Sequence, residues 1–133
     1  TEKFYGEEFV LTGNVTEFLD PIFSSGVTLA VASGETAANV VVKKLKGEDY
    51  DWERDYMQPT LRGVDVFRSY VVGWYNGTLQ EIFFSDTTKQ EFKNQICSVL
   101  AGYVWDETNP FVRKHDTILK TLAEVIKVQA LED

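Results

Sequence analysis

Residues 9–27 read Phe9-Val10-Leu11-Thr12-Gly13-Asn14-Val15-Thr16-Glu17-Phe18-Leu19-Asp20-Pro21-Ile22-Phe23-Ser24-Ser25-Gly26-Val27. Phe9–Thr12 is a β-type run that ends at the turn pair Gly13-Asn14. Asp20-Pro21 is a second break, because a residue before proline is pushed out of the α region. Ser24 and Ser25 stand where helix N-caps stand. Beyond them Val27, Ala30, Val31, Ala38, Val41, Val42 and Leu45 fall on one stripe at helical spacing. Lys43, Lys44 and Lys46 suit the negative pole of that helix, and Gly47 suits its C′ position. The stretch therefore predicts a strand, a turn and a helix. Gly26, Ala30, Ser33, Gly34, Ala37 and Ala38 are all small, and such a helix lets a backbone or a flat ligand come close.

The rest of the chain reads as helix. After an acidic link over residues 48–55, Pro59 can open a long helix with Val64, Phe67, Val71, Trp74, Tyr75, Thr78 and Ile82 on one side. Gly73 and Gly77 are the places where it can break. A third helix is predicted from Thr88 to about Tyr103, with Phe92, Ile96, Val99, Leu100 and Tyr103 inward. Residues 105–115 read as a loop broken at Asn109-Pro110. A last helix follows with Asp116 as N-cap and Ile118, Leu122, Val125 and Ile126 inward. The fold class is mainly α: a short N-terminal strand plus about four helices. A lone strand cannot satisfy its own backbone groups. It must pair with a second copy or belong to a sheet outside these residues, so the chain reads as a fragment of an α/β protein. The organisation divides into 1–47, the strand–turn–helix, and 48–133, a helical region.

Composition bounds the function. The chain has 133 residues, 44% hydrophobic and 14% aromatic, which is enough for a packed core. Its formal net charge of −8 repels phosphate backbones, so nucleic acid is a poor partner. No apolar run reaches the ~18 residues of a membrane span. The single cysteine, Cys97, permits no internal disulfide and no C-x-x-C pair, which suits a reducing, cytoplasmic setting. His115 is the only histidine and reads as surface. The acidic pairs Glu7/Glu8 and Glu53/Asp55 have no ligand spacing with it, so no metal site is expected. Trp74, Tyr75, Phe83 and Phe84 read as core before substrate tunnel, and Cys97 as a small buried hydrophobe.

The chemistry lies in the quoted stretch. A turn that delivers a glycine and an amide side chain to the start of a helix makes a ligand site. Free N–H groups there attract negative charge, and Gly26 admits a ligand to the backbone. Strand–turn–helix with small residues at the tip is how α/β folds hold phosphates and flavins.

The run resembles the second FAD motif of flavin-dependent halogenases and related aromatic hydroxylases, G-[DN]-A-x-x-F-[LIV]-[DE]-P-x-x-S-[ST]-G. It matches at Gly13, Asn14, Phe18, Leu19, Asp20, Pro21, Ser24, Ser25 and Gly26, and Val15 replaces the family's Ala. Residues 99–110 look like the helical C-terminal part of the same proteins. The resemblance implies the C-terminal part of an FAD-dependent oxidoreductase that halogenates or hydroxylates an aromatic small molecule. It implies FAD contacts at Gly13, Asn14, Asp20, Pro21, Ser24, Ser25, Gly26 and Val27. Asn14 would meet the ribityl or pyrophosphate part, and Ser25 and Gly26 would lie by the halide. Tryptophan halogenases carry a carboxylate where this chain has Phe23, which leans towards phenolic, pyrrolic or other acyl-aromatic substrates. The family's G-x-G-x-x-G and its catalytic lysine belong to an N-terminal FAD domain outside these residues. None of Lys43, Lys44 or Lys46 fits that lysine's place, so no catalytic residue is assigned. Electrons would come from NAD(P)H or a flavin reductase. Two alternatives stand beside this reading: a free-standing helical interaction domain, and part of a geranylgeranyl-reductase-like flavoprotein. With its stripe uncovered, the helix from Val27 to Leu45 is expected to drive homodimerisation of the fragment.

Overall fold

A computed structural model describes residues 2–132 and divides into two compact units, Thr1–Asp65 and Val66–Asp133. In the first unit the N-terminal residues double back on themselves. Tyr5 and Val10 form an isolated antiparallel bridge. The Gly6 N–H donates to the Phe9 carbonyl at 2.9 Å, and the Leu11 N–H to the Phe4 carbonyl at 2.7 Å. The expected strand at Phe9–Thr12 is not formed, and no strand occurs among the described residues. Those two bonds and one side-chain donor, the Tyr56 hydroxyl on the Leu11 carbonyl, hold the run within the chain.

Short 3₁₀ turns at Gly13–Val15 and Pro21–Phe23 lead into α1, Ser25–Lys46. Gly47 ends α1 as expected. It sits at φ 70°, and the N–H groups of Gly47 and Glu48 return to the carbonyls of Lys44 and Lys43 at 3.2 and 3.0 Å. This is the paired closure that a left-handed C′ residue allows. The buried face of α1 differs from the expected one. It is Ser25, Leu29, Ser33, Ala37 and Val40. Val27 and Leu45 are 71% and 81% exposed, and Val31, Ala38 and Val42 are exposed with them. Of the small residues, Ser33 and Ala37 go inward, together with Leu29 and Val40, while Ala30 and Ala38 are exposed.

Helix resumes at Trp52, passes through a π turn at Glu53–Met57 and continues as α2, Gln58–Tyr75. Pro59 therefore lies inside a helix already begun and does not open it. Its ring has no N–H and would collide with the carbonyl four residues back, and a widened turn relieves that conflict. Asp55 ties this turn to α1. It lies 2.6 Å from Arg54 Nε and 3.5 Å from Lys43 Nζ, and its carboxyl is held well below the usual range, chiefly by Arg54. The core of the unit is Phe4, Ala37, Val40 and Tyr56, flanked by Tyr5, Val10, Trp52, Met57 and Leu61. The Phe4 and Tyr56 rings meet edge-on, 6.5 Å between centroids. Burial of an aromatic of this size contributes about 1.5–3 kcal/mol.

In the second unit the long helix breaks at Gly77, at φ 84°, where Asn76 Oδ1 accepts the Thr78 N–H at 3.0 Å. The remainder forms α3, Thr78–Phe84, and is followed by α4, Gln90–Leu100. Gly73 does not break α2. A Cβ there would sit 3.5 Å from Leu119 of α6, Ile118–Glu132, so this glycine permits close packing. Residues 105–115 hold a further helical turn, α5, Pro110–Arg113. Asn109-Pro110 starts it: Asn109 Oδ1 accepts the Phe111 N–H at 2.9 Å, and proline suits the first helical position. Six α-helices thus stand among the described residues where about four were expected. Ile96, Val99, Leu119 and Ala123 are buried, whereas Tyr103 and Val125, expected inward, are exposed. Cys97 is exposed as well, contrary to expectation. His115 is half-buried, with Nδ1 2.7 Å from Ser69 Oγ. No helix among the described residues is long and apolar enough to cross a membrane.

Two substitutions test this architecture by thermal or urea unfolding. Gly47→Ala meets no atom within 4 Å, so its cost is backbone strain alone, and a loss of about 1–2 kcal/mol is expected. Val42→Asp changes an exposed position and should stay within about 0.5 kcal/mol of the parent. A large loss there would place the valine face inside.

Candidate functional site

The start of α1 gathers the residues of the quoted motif. Gly13 is buried at φ 70°, and a Cβ on it would lie 3.2 Å from the Ala30 Cβ. The turn thus rests directly on the helix. Its N–H donates to Ser33 Oγ at 2.9 Å, and its carbonyl accepts from Thr16 Oγ1 at 2.6 Å. This contact brings Asn14 to the first turn of α1. A Cβ on Gly26 would fall 3.0 Å from Asn14 Oδ1 and 3.5 Å from Nδ2, so glycine is what lets the carboxamide lie against the helix backbone.

Asp20 and Pro21 set the entry. Asp20 Oδ1 accepts the Ile22 N–H at 3.2 Å and caps the 3₁₀ turn, with Pro21 at its first position. Ser24 then takes a left-handed conformation, φ 54°, and is the one non-glycine residue with positive φ among those described. The expectation of a serine cap is corrected here. Ser24 occupies the N-cap position, but its side chain makes no capping bond. A capping side chain works from an extended backbone, and Ser24 is not extended. Ser25 is the first residue of α1 and is 1% exposed, and its Oγ has no hydrogen-bond partner. Val27 is exposed. The first N–H groups of a helix have no partner inside it. The site therefore lies at the positive pole of a helix, with a buried hydroxyl in its first turn.

The structure brings Gly13, Asn14 and Gly26 into one place, with Ser24 and Ser25 at the same helix start, and Asp20 and Pro21 act as the hinge before it. Two residues that support the turn were not read from the sequence. Ser33 and Tyr56 lie 20 residues from Gly13 and 45 from Leu11 along the chain, and a serine and a tyrosine at such distances carry no local signal. Among the described residues, no group of three His, Cys, Asp or Glu side chains is arranged to hold a metal ion.

No family model matches the chain. Among curated proteins it is 28% identical over 102 residues to the 1H-pyrrole-2-carbonyl-[peptidyl-carrier protein] chlorinase of Pseudomonas fluorescens, covering 75% of this chain and 22% of the relative. It is 27% identical over 114 residues to the corresponding brominase of Pseudoalteromonas luteoviolacea, covering 79% of this chain and 26% of the relative. The flavin-dependent halogenase armH1 of Armillaria mellea matches at 37% identity over 46 residues, 35% of this chain and 9% of that protein. The chain thus spans about a quarter or less of the curated relatives it matches. Among solved structures, a flavoprotein/dehydrogenase from Cytophaga hutchinsonii superposes with a TM-score of 0.93 at 57% identity, over 96% of this chain and 32% of that one. The chain is a homologue of one segment of the flavin-dependent halogenases and of a flavoprotein/dehydrogenase.

Proposed function

We propose that this chain is the C-terminal part of an FAD-dependent halogenase or monooxygenase and forms one wall of its flavin and halide site. The observation that carries the reading is the α1 start: Gly26 lies under the Asn14 carboxamide, and the Ser25 hydroxyl is buried without a partner. An unsatisfied buried hydroxyl is costly unless something is brought to it. These residues fit a flavin. Gly13, Asn14, Asp20, Pro21, Ser24, Ser25, Gly26 and Val27 would contact FAD, with Asn14 towards its ribityl or pyrophosphate part. The positive pole of α1 favours negative charge on the bound ring. The Ser25 hydroxyl and the Gly26 N–H are the two donors that a halide would use. Bound flavin supplies the redox chemistry, with electrons from NAD(P)H or from a flavin reductase. The catalytic lysine and the first phosphate-binding glycines lie in an N-terminal FAD domain of an α/β fold outside these residues, so the 133-residue chain alone is inactive.

The substrate we assign is an electron-rich aromatic, phenolic or pyrrolic, presented as an acyl group. Phe23 at the position where tryptophan halogenases carry a carboxylate supports this. So do two relatives whose names give a pyrrole-2-carbonyl group on a carrier protein. A second reading is a flavin-linked dehydrogenase or reductase, favoured by the name of the Cytophaga neighbour.

The test uses the full-length protein. Gly26→Val should abolish flavin binding or weaken it at least tenfold, because its Cβ displaces Asn14 and its branches fill the cradle. Ser24→Ala removes no capping bond and leaves the cradle open, so it should weaken flavin binding several-fold less than Gly26→Val does. Equal, small effects would mean that this segment is only a helix start. Chloride- or bromide-dependent mass gain in an aromatic acyl substrate separates halogenation from the dehydrogenase reading, in which turnover is indifferent to halide. Calorimetric titration of the 133-residue chain with FAD should show no sub-micromolar binding.

A further inference from the structure

We propose that Ser33 and Tyr56 are positioning residues for the flavin-contacting turn, and that their two hydroxyls clamp residues 11–13 against α1 through one hydrogen bond each. The inference rests on the flavin reading above.

Residues 9–11 bridge back to residues 4–6, and Thr16 closes on the Gly13 carbonyl, but two groups of the turn are held by side chains far along the chain. No strand ladder holds residues 9–12 among the described residues, and the carbonyl of Leu11 and the N–H of Gly13 find their partners in distant side chains. The Tyr56 hydroxyl donates to the Leu11 carbonyl. The Gly13 N–H donates to Ser33 Oγ at 2.9 Å. The Ser33 hydroxyl itself donates to the Ala30 carbonyl one turn back, 3.3 Å away, which leaves its oxygen to accept from Gly13. The two side chains thereby hold two groups of the turn that lie two residues apart, the Gly13 N–H and the Leu11 carbonyl.

Burial makes these bonds matter. Ser33 is 3% exposed and Tyr56 fully buried. Away from water an unmade bond is not replaced. Both residues also sit on rigid elements: Ser33 on the inner face of α1, Tyr56 in the π turn and in the core with Phe4, Ala37 and Val40. Asn14 follows Gly13 directly, so its place over Gly26 depends on this clamp. A side chain held this way stays pre-organised for its ligand.

The experiment compares Ser33→Ala, Tyr56→Phe and the double variant with Val40→Ala, all in the full-length protein. Ser33→Ala favours helix, and Tyr56→Phe keeps the ring in the core, so both variants should fold. Val40→Ala opens the same core without touching either hydroxyl. Flavin affinity is read by fluorescence titration, and the setting of the bound flavin by its visible circular dichroism. Each single hydroxyl deletion should weaken FAD binding about tenfold and alter the dichroic band. The double variant should lose more than either single one, because the two bonds hold different groups of the turn. Val40→Ala should lower the melting temperature while leaving affinity within about twofold and the dichroic band unchanged. Wild-type affinity and dichroism in Ser33→Ala and Tyr56→Phe, or losses no larger than those of Val40→Ala, overturn the proposal. A wild-type protein that binds no flavin overturns the flavin reading, and this role falls with it.

Discussion

The first unit depends on one close approach: the Gly13 turn lying directly on α1. The Gly13 N–H reaches Ser33 Oγ at 2.9 Å, and a Cβ on Gly13 would crowd the Ala30 Cβ at 3.2 Å. The inner face of α1, Ser25, Leu29, Ser33, Ala37 and Val40, mixes small and large residues, and its serine at position 33 takes the turn. Phe4 and Tyr56 fill the space beside Ala37 and Val40. Placement of the turn and packing of the core are therefore one problem with one solution.

The same approach shapes the electrostatics of the helix start. Asp20 closes the preceding 3₁₀ turn, so its carboxylate is spent on the Ile22 N–H and does not cap α1. Ser24, at φ 54°, turns the chain in a conformation that costs a non-glycine residue about 1–2 kcal/mol. Strain of this kind persists only where the surroundings enforce it, and it concentrates at ligand sites. The result is a helix N-terminus without its serine cap, beside a buried hydroxyl that no protein group satisfies. Both features lower the stability of the chain by itself and suit a negatively charged ligand.

The outer face of α1 carries the opposite arrangement. Val27, Val31, Val42 and Leu45 are exposed and follow helical spacing. Hydrophobicity at period 3.6 marks a face that some neighbour covers, but it does not say whether that neighbour lies in the same chain segment. Here Leu29, Ser33, Ala37 and Val40 are covered by the chain itself, and Val27, Val31, Val42 and Leu45 are left exposed.

Sequence by itself determined the motif and the punctuation. Gly13, Asn14, Asp20, Pro21, Ser24, Ser25 and Gly26 were legible as a set because their roles are local: a turn, a proline, a helix start. Gly47 and Gly77 were legible for the same reason, since positive φ singles out glycine. Tertiary structure alone decided which face of α1 is inside, and that Phe9–Thr12 bridges back to Phe4 and Tyr5 without becoming a strand. It also decided that Pro59 is absorbed by a π turn inside a helix. It alone joined Ser33 and Tyr56 to the Gly13 turn, 20 and 45 residues from the groups they hold. Local preference reads φ, ψ and spacing over a few residues. A contact between distant residues is set by the volume left between packed elements, and no window of sequence contains that volume.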